Sequence, residues 1–165
     1  MELYILRHGL AGDREAWMGS DSKRPLTEEG KKKMERIAKA MQNMKLSLDL
    51  ILSSPYIRAQ QTAEIVAKRL EVQDKVELNE HLACGGDQRL LMEGLSRIGD
   101  SKNVLLVGHE PDLSTLISYL ISGSERAFIE MKKGGLAKLN VNGPFYGQCA
   151  ALSWLMPPRH LMMLA

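Results

Sequence analysis

Three short stretches carry residues able to handle an anion. They are "RHG" (Arg7, His8, Gly9), "SSPYIRAQQTA" with Arg58, and "GHEP" with His109. Arginine offers a planar fork of N–H donors that matches the oxygens of a phosphoryl group. Neutral imidazole is a competent nucleophile near neutral pH. Taken singly, each stretch has an ordinary explanation. A lone arginine at a strand end is a solvated cap or an ion pair, and a lone histidine there is a satisfied structural group. Together they mean more, if the chain brings them to one place. Two arginines and two histidines converging on one pocket repel one another in a low dielectric unless an anion sits among them. A phosphoryl group is the natural anion, and a nearby helix N-terminus would add backbone N–H donors.

The elements needed to bring them together are legible. Each stretch follows a short apolar run: "LYIL", "DLILSS" and "NVLLVGH". Continuous apolar runs of this length mark strands covered on both faces. Between them lie helical patterns. In "LTEEGKKKMERIAKAMQNM", Thr27 is the expected N-cap, and Met34, Ile37, Ala38 and Met41 repeat at helical spacing. "PYIRAQQTAEIVAKRL" is expected to start with Pro55 in the first turn and to bury Ala59, Thr62, Ala63, Val66 and Leu70. "VEL" (Val76 to Leu78) reads as a short strand, Asp87 to Arg97 as a helix, and "PDLSTLISYLI" as another. "LAKLNV" and "CAALSWLM" flank "NGPFYGQ" as a closing antiparallel hairpin at one edge. Alternating strands and helices predict an α/β fold. It is a three-layer α/β/α arrangement with a mostly parallel central sheet and an antiparallel edge near the C-terminus. In such sheets ligands gather at the carboxyl ends of the strands, where the three stretches fall.

Bulk properties narrow the function classes. The chain has 165 residues, the length of one domain, 1–165, and a formal net charge of +2. That charge is too small to point to nucleic acid or a membrane surface. Aromatic residues are only 5%, against a base-stacking surface. No run is long and apolar enough to span a bilayer, and "MELYILRHG" lacks the basic start of a signal peptide. Cys84 and Cys149 read as free thiols, so a cytoplasmic location is expected. The four histidines form no ligand cluster at metal spacing, so neither a metal nor a cofactor is expected. The apolar tail "MPPRHLMMLA" reads as core, and the oligomeric state is not readable.

"RHG", "SSPYIRAQQTA" and "GHEP", in this order at successive strand ends, resemble the histidine phosphatase superfamily, which includes the phosphoglycerate mutases. "DSKRPLTEEG", "NEHLACGGD" and "LSWLMPPRHL" are similar to the short SixA-type phosphohistidine phosphatases. The resemblance implies one domain without a large insertion over the site. It also implies a phosphatase acting through a phosphohistidine on the enzyme, and a substrate protein that carries phosphohistidine. By resemblance, His8 is the nucleophile, and the Gly9 carbonyl holds the ring N–H so that the other nitrogen is free. Arg7, Arg58 and His109 would bind phosphoryl oxygens and stabilise the in-line transition state. Glu80, in "LNEHL", aligns with the acid that protonates the leaving group in the mutase branch. Its other reading is a surface acid. Arg24, in "SKRPLT", can reach the phosphate or the partner, or be an ordinary loop arginine. Ser53 and Ser54 lack a nucleophile elbow and are expected to shape the turn before Pro55. Two other readings stay open: a phosphatase of small phosphomonoesters, and a non-catalytic phosphate-binding adaptor.

Overall fold

The computed structural model describes residues 1–99, 102–126 and 129–165. The strands are β1 (Glu2–Arg7), β2 (Leu50–Ser53), β3 (Val76–Leu78), β4 (Asn103–Gly108), β5 (Leu136–Val141) and β6 (Ala150–Met156). The helices are α1 (Glu28–Asn43), α2 (Ile57–Leu70), α3 (Gln88–Ser96), α4 (Asp112–Ser122) and the short α5 (Pro158–Leu161). The strands form one sheet in the order β3-β2-β4-β1-β5-β6. β1 to β4 run parallel, while β5 pairs antiparallel with both β1 and β6. The expected three layers are present.

The apolar runs are continuous because alternate residues serve opposite faces. Tyr4, Leu6, Leu105 and Val107 pack under α1, α2 and α5 with Met34, Ile37, Met41 and Leu161. Leu3, Ile5, Val104 and Leu106 face the other way, against Leu91, Leu95, Leu113 and Leu120 of α3 and α4. Each fully buried leucine or isoleucine contributes roughly 1.5–3 kcal/mol. These two cores hold the central strands rigid on both sides.

Register matters most for the site. Arg7 is level with Gly108, and Ser53 with Val107. The ladder runs one residue past the strands, with the His8 amide donating to Gly108 O at 3.1 Å and the Ser54 amide to Val107 O at 2.9 Å. His8, Ser54 and His109 therefore emerge side by side at one end of the sheet.

Several expectations need adjusting. Thr27 does cap α1, its hydroxyl accepting from the Gly30 amide at 2.9 Å. Pro55, however, precedes α2, which begins at Ile57 with Tyr56 as N-cap. The Ser54 hydroxyl takes the Tyr56 amide and closes a turn there, before helical bonding can start. β6 is an exposed edge over Ala151 to Ser153 and has a register shift opposite Lys138/Leu139. A bulge of this kind twists an edge away from further pairing. In the tail Leu161 is fully buried, whereas Met163 and Leu164 are exposed.

Candidate active site

The loop after β1 passes close beneath α1. The Leu10 carbonyl accepts from the Thr27 amide at 3.0 Å, and a Cβ on Gly30 would lie 2.0 Å from that oxygen. Gly9 is equally confined: a Cβ there would sit 2.6 Å from Met34 Cγ. Glycine lets the backbone run close enough to place the Gly9 carbonyl 2.7 Å from His8 Nδ1. That oxygen can only accept, so Nδ1 carries the proton and Nε2 holds the lone pair. The ring is 5% exposed. Burial, the His109 ring and the cations of Arg58 and Arg7 push its pKa down to about 2, against the raising effect of the Gly9 bond. His8 is therefore a neutral imidazole with a fixed tautomer.

Arg58 enters from the first turn of α2 and is 3% exposed. Its Nε donates to His8 Nε2 at 3.3 Å. Nη1 donates to the Asp21 carbonyl at 2.7 Å, and Nη2 to the Asp21 carboxylate at 2.9 Å. The guanidinium also lies 4.9 Å from the Tyr56 ring centroid, a cation–π arrangement. The other oxygen of Asp21 accepts from Arg24 Nε at 2.9 Å, and Arg24 Nη1 reaches the Gly12 carbonyl at 2.6 Å. Burial raises the Asp21 pKa, but hydrogen bonding from Arg24 and the charge of Arg58 outweigh it and hold the carboxylate below its ordinary range. Asp21 thus ties two arginines together. Arg24, left open by the sequence, is 8% exposed and belongs to this cluster.

From β1, Arg7 directs Nη1 to the Met131 carbonyl at 2.7 Å, and its Nε is buried without a partner. The turn before β5 secures this strand end. Gly134, at φ +80, donates to the carbonyls of Arg7 and His8 at 3.1 and 3.2 Å. His109, at the end of β4, is 1% exposed. Its ring centroid lies 5.0 Å from those of both His8 and Tyr56. Nε2 lies 2.8 Å from the Ser54 hydroxyl, while Nδ1 is buried and unpartnered. Burial, with the charges of Arg58 and Arg7, lowers the His109 pKa to about 4 although Asp21 raises it. Among the described residues, Arg7 Nε and His109 Nδ1 are the buried side-chain nitrogens left unpaired.

These side chains share a cavity of about 670 Å³, whose charged lining is Arg7, Arg14, Arg24, Arg58 and Lys133 against Asp13, Asp21 and Glu110. Five cations against three carboxylates leave two positive charges with both histidines neutral. Burial and the arginines Arg7, Arg24 and Arg58 lower the Lys133 pKa. Burial raises that of Glu110, whose two oxygens accept from the Ser114 amide at 3.1 Å and hydroxyl at 2.7 Å. An anionic tetrahedral group fits the balance of charge, the arginine forks and the unpaired nitrogens.

The structure brings together Arg7, His8, Gly9, Arg24, Arg58 and His109. It does not bring in Glu80, which is exposed and outside the cavity lining. Asp21, Glu110 and Lys133 are not among the residues expected from the sequence, and Cys84 is expected only as a free thiol, yet all four line the cavity. The first two stand inside quoted motifs, "DSKR" and "GHEP", and a charged residue there was the available signal. Nothing local marks Lys133. Among the described residues, no group of three or more His, Cys, Asp or Glu is placed to hold a metal ion.

The family model described as histidine phosphatase superfamily (branch 1) matches residues 3–84. A phosphohistidine phosphatase SixA homolog of Haemophilus influenzae is 33% identical over 129 residues, covering 73% of this chain and 77% of that protein. Phosphohistidine phosphatase SixA of Escherichia coli is 28% identical over 165 residues, covering 99% and 98%. A solved structure of the protein histidine phosphatase SixA complexed with tungstate superposes with a TM-score of 0.84 at 27% identity, over 98% of this chain and 99% of that one.

Proposed function

The chain belongs to branch 1 of the histidine phosphatase superfamily and is a phosphatase, and from there we propose that its substrate is phosphohistidine carried on a protein. The observation that carries this reading is His8 itself. It is neutral, its Nδ1 proton is held by Gly9, and its Nε2 lone pair lies beside Arg58 in a positively charged cavity. The likeness to SixA proteins, one of them described with the tetrahedral oxyanion tungstate, supports both the substrate class and the anion site.

The steps follow from these groups. Nε2 of His8 attacks phosphorus in line, and the P–N bond to the substrate imidazole breaks. Solvent protonates the other nitrogen of the substrate ring, so that the leaving nitrogen keeps the bonding pair and the ring departs as neutral imidazole. A histidine ring takes up that proton near its reference pKa of about 6.5, so no strong internal acid is needed. Arg7, Arg58 and His109 hold the three oxygens in flight. Water then attacks the phosphoryl group on His8, releasing inorganic phosphate and restoring the neutral ring. Among the described residues, the segment between β3 and β4 holds a 3-10 turn and α3 and no larger insertion, and such a short segment suits a phosphoryl group presented by a protein.

The test is parallel turnover of phosphoramidate, a phosphohistidine-bearing protein and an alkyl phosphomonoester, with acid quench to trap labelled enzyme. We expect the two P–N substrates to be preferred, an acid-labile, base-stable label on His8, and undiminished rates in excess EDTA. Preference for the alkyl ester would move the assignment to small phosphomonoesters. Oxyanion binding without turnover of any substrate would make the chain a binding module.

A further inference from the structure

We propose that Ser54 is a positioning residue: by donating its hydroxyl hydrogen to His109 Nε2, it fixes His109 as a neutral ring that presents Nδ1–H to the phosphoryl group. The inference rests on the phosphatase reading only for the identity of that anion. The proton assignment stands on hydrogen-bond accounting within the protein.

Ser54 is fully buried, and its oxygen already accepts the Tyr56 amide at 3.2 Å. The remaining contact is His109 Nε2 at 2.8 Å. Two arrangements are possible. In one, the ring donates Nε2–H to the serine. The serine hydrogen then has no acceptor among the described residues, and Nδ1 is a bare lone pair facing an anion. An unmet buried hydroxyl and a lone pair opposed to oxyanion oxygens both destabilise that arrangement. In the other, Ser54 donates to Nε2. Every hydrogen then has a partner except Nδ1–H, which is left for the ligand. A doubly protonated ring would restore the orphaned hydroxyl and add a cation. The charged groups around it are Arg7 from β1, Arg58 from α2, Arg24 and Asp21 from the loop after β1, and Glu110 beside it. The cations outnumber the carboxylates, so they oppose a further positive charge.

The arrangement gives Ser54 work beyond shaping its turn. His109 adds a directed donor and no proton that must be taken up or lost when phosphate arrives. His8 and His109 thereby reach the same protonation by different means. A backbone carbonyl fixes the first ring as Nδ1–H, and a side-chain hydroxyl fixes the second.

Long-range nitrogen–proton NMR on imidazole-labelled protein reads the tautomer directly. In the unmodified protein we expect His109 Nδ1 to resonate as a protonated nitrogen and Nε2 as an unprotonated one, with and without inorganic phosphate. Ser54→Ala should shift the ring toward the Nε2–H form and lower kcat/KM roughly 10- to 100-fold, the worth of one hydrogen bond to a charged group. Ser54→Thr, which keeps the hydroxyl, should retain the original tautomer. A protonated Nε2 in the unmodified protein would overturn the proposal, and that measurement needs no variant. So would a Ser54→Ala protein that keeps the Nδ1–H form. If the tautomer is as expected but no phosphorylated substrate turns over, the phosphatase reading fails and the Ser54 assignment survives.

Discussion

Burial strips the His8 ring of solvent, and the nearby cations of Arg58 and Arg7 oppose a further positive charge, which is why its pKa falls to about 2. A base that stays neutral without help needs no proton acceptor before it can attack. His8→Ala should therefore abolish turnover while leaving the circular dichroism spectrum intact. Substantial activity in the folded variant would remove His8 from the mechanism. Arg58→Ala should lower kcat/KM by about two to three orders of magnitude, the usual loss for a transition-state donor. Arg24→Ala acts through Asp21, so its loss should be smaller, about tenfold. Similar, slight effects from both would mean that Arg58 does not touch the reacting group. Glu80 is exposed and off the cavity, so Glu80→Gln should leave all three substrates within about twofold of the unmodified protein. A loss confined to the alkyl ester would restore it as the leaving-group acid. Arg7, His8, Arg58 and His109 could be read from the chain because each directly follows, or opens the helix after, an apolar run. Lys133 could not, because only the return of the chain to the β1 edge brings it to the cavity.

Elements fix the site through register more than through loop contacts. β4 lies between β1 and β2, and one more ladder bond beyond β1 and beyond β2 brings the His8 and His109 rings together, tilted, with centroids 5.0 Å apart. The strand runs and the Thr27 cap were plain in the sequence because local chemistry dictates them. The start of α2 was not, because a serine hydroxyl and a proline ring compete for the same turn. The order of strands was not either, since β4 inserts between β1 and β2 and no local pattern records which strands become neighbours. The turn before β5 offers a direct test of this level. Gly134→Ala would force a Cβ at φ +80 and bring it within 2.8 Å of Ile37 Cδ1. The left-handed conformation alone should lower stability by roughly 1–2 kcal/mol. We expect a lower urea midpoint at unchanged m, together with lost activity as Arg7 shifts. An unaltered midpoint would show that this turn relaxes freely.

At the scale of the whole molecule, two buried neutral histidines make stability depend on pH. Both have folded pKa values below the unfolded value of about 6.5, at about 2 for His8 and about 4 for His109. Below pH 6.5 the unfolded chain therefore binds more protons than the folded one. The contribution is complete above that pH and is lost as the pH falls toward the folded values. Each ring removes about 1.4 kcal/mol per pH unit inside its window. Asp21, held low, adds to acid sensitivity at lower pH, while Glu110, held high, works against it. Urea unfolding at pH 7, 6 and 5 should show a steepening decline, and His109→Gln should remove about half of the slope. A stability independent of pH across that range would mean that the rings are open to water.

Between turnovers, the contact from Arg58 Nε to His8 Nε2 keeps the lone pair of that ring occupied. An uncharged acylating or alkylating compound that wanders into the cavity gives the guanidinium no reason to let go, and finds the pair engaged. An incoming oxyanion does, because its oxygens are stronger acceptors than a ring nitrogen. Reactivity is thus withheld until the right kind of charge arrives. The arginine that shields the His8 ring is the same group that an arriving oxyanion would engage.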